Sequence, residues 1–266
     1  MRITLVTPSR NQGRFIRRTI ESVLAQRGDF ELEYMVLDGG STDETLGVLE
    51  SYGGRVTWES AVDRGQTDAI NRGLQRATGD IVGWLNSDDT LAAGALARVA
   101  EAFRLQPTLE WVHGRCEIID EDDRVIRRTV SSYKHFRCRR YSYSTLLTEN
   151  FISQMTVFCR REVMDQIGYL DTSLKLAFDY DYWLRLACRS APLYIAQPQA
   201  MFRWYRTSKS GMSFTLQFDE DYAVMKRHAP DRRLLHLTKR FKTAGILAAY
   251  RVMALMTGGR RSCALW

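Results

Sequence analysis

Short apolar runs alternate with segments of helical period through the first 105 residues, and few folds tolerate that alternation. Ile3–Thr7 reads as a strand, and Phe15, Ile16, Ile20, Val23 and Leu24 form the apolar stripe of a helix. Tyr34–Leu37 is a second strand. Behind it, Ser41-Thr42-Asp43-Glu44 has the form of a capping box, in which the Ser41 hydroxyl would bond the Glu44 amide while Glu44 reaches back. A short strand near Arg55–Glu59, a helix over Gln66–Ala77 and an apolar strand over Asp80–Leu85 follow. An Ala- and Leu-rich helix then runs to about Leu105. The order β-α-β-α-β-α-β predicts an α/β fold: a doubly wound, mostly parallel sheet with helices on both faces.

The second half breaks this rhythm. Gly114–Ile119 and Val125–Val130, around the acidic turn Asp120-Glu121-Asp122-Asp123, read as a hairpin. Ser131–Tyr143 mixes bases with aromatics and has no clear period. Gln154–Cys159 reads as a strand, Glu162–Ile167 as a short helix stopped by Gly168, and Asp179–Arg189 as a helix. Beyond Ser213 the chain turns helical and basic. The division expected is 1–215 as one domain, in halves 1–105 and 106–215, and 216–266 as an extension.

Composition excludes several classes. With 45% hydrophobic and 26% charged residues, the chain resembles neither a disordered nor a fibrous protein. The five cysteines are scattered, with no paired metal-ligand spacing, so a reducing compartment is expected. Met1 leads straight into a strand with no apolar leader, and no run approaches ~18 apolar residues. A cytoplasmic protein, possible at the inner face of a membrane, is the expectation. The net charge of +7 is local: Met225–Trp266 holds ten Lys and Arg against Asp231 alone, an excess of +9 that leaves the preceding 224 residues at −2.

Three polar loops fall at strand ends, where ligands bind in open α/β sheets: Pro8-Ser9-Arg10-Asn11, Asp38-Gly39-Gly40-Ser41 and Asn86-Ser87-Asp88-Asp89. A fourth, Asp63-Arg64-Gly65-Gln66, opens the third helix. Adjacent carboxylates repel one another, and a hard divalent cation relieves that repulsion. A capping residue followed by a solvated acid would use the same pair blandly. There is no P-loop pattern and no GxGxxG after the first strand, and the histidines (His113, His135, His228, His236) lack zinc-type spacing. No GxSxG elbow is present.

Taken in order, these loops resemble the family 2 glycosyltransferases, inverting enzymes of the GT-A fold. The resemblance is carried by Val6–Asn11, Asp38–Asp43, Asp63–Gly73 and Gly83–Asp89, and by Phe178-Asp179-Tyr180-Asp181-Tyr182-Trp183 as the acceptor-side acidic motif. It implies that Pro8, Ser9, Asn11, Asp38, Asp63, Gly65, Asp68 and Asn71 bind the donor, with Asp38 and Asp63 at the base or ribose. Asp88 would contact ribose and metal, and Asp89 would be the principal ligand of Mg2+ or Mn2+. The family has Glu-Asp where this chain has Phe178-Asp179, which leaves the catalytic base between Asp179 and Asp181, with Asp179 favoured. Arg206, Ser208 and Lys209 fall where the family closes on the diphosphate, with Tyr205 at the usual histidine position.

The implied activity is transfer from a nucleoside-diphosphate sugar, a UDP-sugar favoured, to a glycan or lipid-linked acceptor in cell-envelope polysaccharide synthesis. The rivals are a nucleotidyltransferase acting on sugar phosphates, which needs a Lys-bearing Gly-rich first loop, and a non-catalytic nucleotide- or nucleic-acid-binding module. Neither is favoured, and no nucleic acid is expected. Lys134, His135, Phe136, Arg137, Arg139 and Arg140 suit an anionic or sugar acceptor or a plain surface, whereas Trp84 and Trp183 read as core. The tail, with Ile246, Leu247, Tyr250, Met253 and Met256 flanked by bases, fits either a peripheral membrane contact or a helix packed on the body.

Overall fold

Every residue from Ile3 to Ser9 is buried, so the strand that holds them must lie inside a sheet covered on both faces. In the computed structural model, which describes residues 1–208 and 214–256 (214–215 and 247–256 by backbone alone), that strand is β1, Arg2–Ser9. The first half then runs α1 (Gly13–Leu24), β2 (Glu31–Asp38), α2 (Thr45–Glu50), β3 (Thr57–Ser60), α3 (Gln66–Arg76), β4 (Ile81–Trp84), β5 (Thr90–Leu91) and α4 (Ala95–Leu105). The second runs β6 (Trp111–Ile119), β7 (Val125–Ile126), α5 (Arg128–Arg139), α6 (Tyr143–Thr148), β8 (Phe158–Arg160), α7 (Arg161–Ile167), α8 (Phe178–Arg189) and β9 (Leu193–Arg203). Two helices close the chain, α9 (Phe214–His228) and α10 (Arg233–Met256).

The strands form one mixed sheet in the order β3-β2-β1-β4-β8-β6-β9-β5, with β7 beside β6. β1 to β4 are parallel, as the βαβ rhythm dictates. β8 enters antiparallel between β4 and β6, which restores the direction, and β9 lies parallel to β6. The carboxyl ends of β1, β2, β3, β4, β6 and β9 therefore share one edge. The alternation of strand residues feeds two cores. Ile3, Leu5 and Val36 meet Ile16 and Ile20 of α1 and Val99 and Phe103 of α4. Val6, Met35 and Leu37 meet Ile70 and Leu74 of α3 and Trp183 and Leu186 of α8. Trp84 and Trp183 stack at 5.3 Å between centroids inside the second core.

The structure corrects five local expectations. The Ser41 box does not form: Glu44 takes the cap position without a side-chain bond, and Asp43 Oδ1 accepts from the Thr45 amide at 3.0 Å instead. Thr90–Leu91 is a strand paired to β9, not the start of a helix. Gln154–Thr156 is a 3-10 turn that leaves only Phe158–Arg160 as strand. From Arg128 the hairpin gives way to helix α5, whose buried residues are Ser131 and Cys138, too small and polar to write an apolar stripe. β9 was not expected at all, because Gln197, Pro198 and Gln199 interrupt it; Pro198 pairs with Arg115 at the register irregularity where a strand tolerates proline.

In the extension, Val224 and Met225 are fully buried in the second core, and Lys239 is buried with Nζ donating to the Tyr180 hydroxyl at 3.2 Å. The described part thus packs on the body, while the side chains of Leu247, Tyr250, Met253 and Met256 lie outside the described residues. No helix among the described residues is long and apolar enough to cross a membrane. Cys116, Cys138, Cys159 and Cys188 are free.

Helix α3 approaches the sheet tightly at Gly73, where a Cβ would meet Val6 Cγ1 at 2.5 Å and Leu37 Cδ2 at 3.2 Å. Val6 is stiff and fully buried, so it cannot yield. Gly73→Val should cost about 1–3 kcal/mol and lower the thermal midpoint in scanning calorimetry. An unchanged midpoint would mean that α3 does not depend on that approach.

Candidate functional site

The shared carboxyl edge of the strands opens into a cleft of about 1220 Å³. Each wall follows from the topology. Pro8 and Ser9 end β1, Asp63 and Gly65 form the turn before α3, Asp88 follows β4, and Tyr205 and Ser208 follow β9. Asp179, in the first turn of α8, faces them from the second half.

Gly65, at φ 117°, occupies a conformation that a side chain would resist, and Asp63 Oδ1 accepts from its amide at 2.8 Å. The Asp63 carboxylate lies over Gly39, where a Cβ would come within 2.5 Å of Oδ2. Ser9 is 5% exposed and its hydroxyl has no partner among the described residues. Asp88 Oδ2 accepts from the Tyr205 hydroxyl at 3.0 Å, and Gln12 Nε2 approaches the same hydroxyl at 3.4 Å.

The two adjacent acids divide their work. Asp88 lines the cleft, while Asp89 is fully buried, with Oδ1 accepting from the Arg203 amide at 2.8 Å and Oδ2 from Asn86 Nδ2 at 3.2 Å. Of the pair expected at a metal, Asp88 is the one that lines the cleft, while Asp89 anchors β9. Burial raises the pKa of Asp88, against the lowering pull of the Tyr205 hydroxyl. Burial and the neighbouring Asp88 hold that of Asp89 well above the ordinary range.

A second pair behaves likewise. Asp179 lines the cleft, with the Tyr180 amide donating to its Oδ1 at 2.6 Å. Asp181, two residues on and on another face of α8, is 6% exposed and accepts from Arg185 Nε at 2.9 Å and His228 Nε2 at 3.0 Å. Burial alone would raise its pKa, but the His228 bond and the Arg185 charge outweigh it, and the net shift is downward.

Of the residues expected at the donor, Pro8, Ser9, Asp63, Gly65, Asp88 and Ser208 come together with Asp179 in the cleft. Others sit behind it. Asp38 is fully buried and accepts from the Gly40 and Ser41 amides and the Ser41 and Ser60 hydroxyls, so it builds the loop after β2. Asn11, at φ 53°, accepts from the Thr42 amide at 2.8 Å. Asp68 caps Arg64 at 3.4 Å, and Asn71 exchanges two bonds with the backbone of Leu170, at 2.9 and 3.0 Å. Arg206 is exposed and outside the lining, and Lys209 lies outside the described residues. The unforeseen member is Arg203, fully buried, which no periodicity announces because β9 itself is masked.

No cluster of three or more acidic, His or Cys ligands exists among the described residues. A site with one open carboxylate fits Mg2+ or Mn2+ nonetheless, because such ions bind through one or two carboxylates and complete their shell with substrate phosphates and water. The donor set is all oxygen, as these ions require.

Comparison with known proteins bears on the family and the fold. The sequence profile of glycosyl transferase family 2 matches residues 4–168. A PGL/p-HBAD biosynthesis glycosyltransferase of Mycobacterium tuberculosis is 30% identical over 201 residues, covering 73% of this chain and 72% of that one. Among solved structures, residues 1–349 of Staphylococcus aureus TarS in complex with UDP-GlcNAc superpose with a TM-score of 0.65 at 19% identity, over 86% of this chain and 66% of that one. The chain spans 39% of the longer TarS structure. The mannosyltransferase PcManGT of Pyrobaculum calidifontis, in complex with GDP-Man and Mn2+, gives 0.61 at 18% identity, over 95% of this chain and 80% of that one.

The Asp181 ion pairs carry a pH signature. A carboxylate whose pKa is depressed by folding stabilises above its unfolded value, about 3.9, and that contribution fades as pH falls through the folded value. Asp181→Asn should therefore lower the thermal midpoint at pH 7 by roughly 1.5–3 kcal/mol equivalent. The gap from wild type should close below about pH 4; a gap independent of pH would refute the charged role.

Proposed function

The chain belongs to glycosyltransferase family 2, and on that premise we propose that it is an inverting enzyme moving a sugar from a nucleoside-diphosphate sugar, a UDP-sugar first, to a hydroxyl of a glycan or lipid-linked acceptor in cell-envelope polysaccharide assembly. The observation that carries the proposal is the pairing of Asp88 and Asp179 across one cleft, while their neighbours Asp89 and Asp181 are consumed by internal bonds. The UDP-GlcNAc in TarS and the GDP-Man and Mn2+ in PcManGT support the donor class.

In this reading Asp179 takes the proton of the acceptor hydroxyl as its oxygen attacks the anomeric carbon, on the face opposite the departing diphosphate. A single displacement from that side inverts the centre. The Tyr180 amide holds Asp179 Oδ1 in place, which fixes the direction of proton transfer. Ser9, Asp63 and the α3 turn at Gly65 seat the nucleoside, and the Tyr205 hydroxyl orients Asp88. Asp88 would hold a Mg2+ or Mn2+, which would supply Lewis-acid neutralisation of the charge on the leaving diphosphate. Residues 1–105 form the donor half and 106–215 the acceptor half. The described part of the extension 216–266 buttresses α8 and turns Leu234, Leu237 and Phe241 outward, at 76%, 52% and 76% exposure, which supports peripheral contact at the inner face of a membrane.

Two variant sets test this. Asp179→Asn should keep UDP affinity in calorimetry while transfer falls ~10²–10⁴-fold, and Asp181→Asn should retain transfer below its lowered midpoint; the reverse pattern moves the base to Asp181. Asp88→Ala should lose the Mn2+-dependent part of UDP affinity and remain folded. Asp89→Ala should instead lower the thermal midpoint, by about 1–3 kcal/mol equivalent. Full activity of Asp88→Ala in excess EDTA would end the metal-dependent reading.

A further inference from the structure

Helix α5 turns one stripe toward the cleft: Arg127, Val130, Ser131 and Lys134, at i, i+3, i+4 and i+7. Several other bases and aromatics of that segment are engaged elsewhere. His135 Nε2 meets the Cys116 carbonyl at 3.0 Å, Arg137 pairs with Glu149 at 3.7 Å, and Arg140 lies 4.7 Å over the Phe136 ring. Of the segment's bases, Arg127 and Lys134 line the cleft.

Two of its polar groups are unspent. Ser131 is 2% exposed, yet its hydroxyl has no partner among the described residues. The half-buried Lys134 makes no ion pair among them. Asn150 Oδ1 and Gln154 Oε1, also in the lining, are buried without a partner, while Gln154 Nε2 is fixed to the Trp84 carbonyl at 2.7 Å. Buried polar groups seek a partner, so these atoms are open to a hydrogen bond from a molecule in the cleft. Between them lies an apolar floor of Ile118, Ile152, Met155 and Phe178. The acids of the whole lining are Asp63 and Asp88 on the donor side and Asp179 at the junction. No acid of the lining other than Asp179 belongs to this half.

Resting on the glycosyltransferase reading, we propose that the acceptor is an anion: a hydroxylated body whose phosphate or carboxylate is bound by Lys134 Nζ and Ser131 Oγ, with its apolar part on the floor and its hydroxyl at Asp179. Ser131 and Lys134 stand one helical turn apart, a spacing that two oxygens of one oxyanion can bridge. Asn150 Oδ1 and Gln154 Oε1 are acceptors only, so they select hydroxyl donors on the body between.

The test is calorimetric binding to the full chain, without donor, of two matched pairs: 4-hydroxybenzoate against its methyl ester, and an octyl phosphoglucoside against octyl glucoside. The anion of at least one pair should bind tenfold or more tightly than its neutral partner, and which pair responds distinguishes a carboxylate from a phosphate acceptor. Lys134→Met should abolish the preference, Lys134→Arg should keep it, and Ser131→Ala should reduce it, with UDP affinity unchanged in all three. Equal binding within both pairs, or a preference that survives Lys134→Met, overturns the proposal. Absence of UDP binding by the wild-type protein would instead strike the glycosyltransferase reading, because the acceptor measurement does not use the donor.

Discussion

A single buried guanidinium holds the working edge of this sheet together. Arg203 has no exposed surface, yet Nε donates to the Asp88 carbonyl at 2.8 Å, Nη1 to the Asp120 carbonyl at 2.7 Å, and Nη2 to the Asp123 carboxylate. Its own amide reaches Asp89, and its guanidinium lies 4.9 Å over the Phe15 ring. A cation taken out of water at that depth is tolerated only when its donors are met. Meeting them draws the loops after β4 and β6 onto the end of β9. Phe15 adds α1 to the same knot. Strands far apart in the chain thereby become one rim of the cleft.

The clamp also explains how two adjacent carboxylates coexist there. Asp89 turns inward, where the Arg203 amide and charge oppose the cost of its burial, and Asp88 is left to face the cleft. Even so, both acids are held above their ordinary pKa by burial, so this wall favours any positive charge that arrives. On α8 the same division is made by helix geometry rather than by a clamp. Asp179 and Asp181 point to different faces, and the inward one is paired with Arg185 and hydrogen-bonded to His228. In each pair one acid builds the structure and frees the other for a ligand.

That division sets how much of the site was legible in the sequence. The parallel strands, the first three helices and the order of the polar loops followed from periodicity and from residues that are hard to explain as core. Which acid of each pair faces outward did not, since Asp88 and Asp89 are chemically identical and only the bond to Arg203 separates them. Asp38 shows the same limit: a carboxylate that accepts from three donors of its own loop and from Ser60 at the end of β3 reads, in one dimension, like one offered to a ligand. Ser41 looked like a helix cap because its true partner, Asp38, lies three residues behind it rather than ahead. β9 hid behind Pro198 and two glutamines, and Arg203 hid with it.

The two halves of the cleft differ in legibility because they differ in construction. The wall proposed for the donor is made of strand ends and tight turns, where main-chain geometry demands particular residues: glycine at Gly65 with φ 117°, and glycine at Gly39 under the Asp63 carboxylate. Such demands leave contiguous motifs in a sequence. The wall proposed for the acceptor is made from one face of α5, a 3-10 turn and the edge of α8, so its members are spaced by helical period and mixed in chemistry. Val130, Ser131 and Lys134 share a wall but no motif, and each is unremarkable alone. A helix face can exchange such residues without disturbing the sheet beneath it, and so a rigid donor wall can be kept while the chemistry of the acceptor wall is set separately.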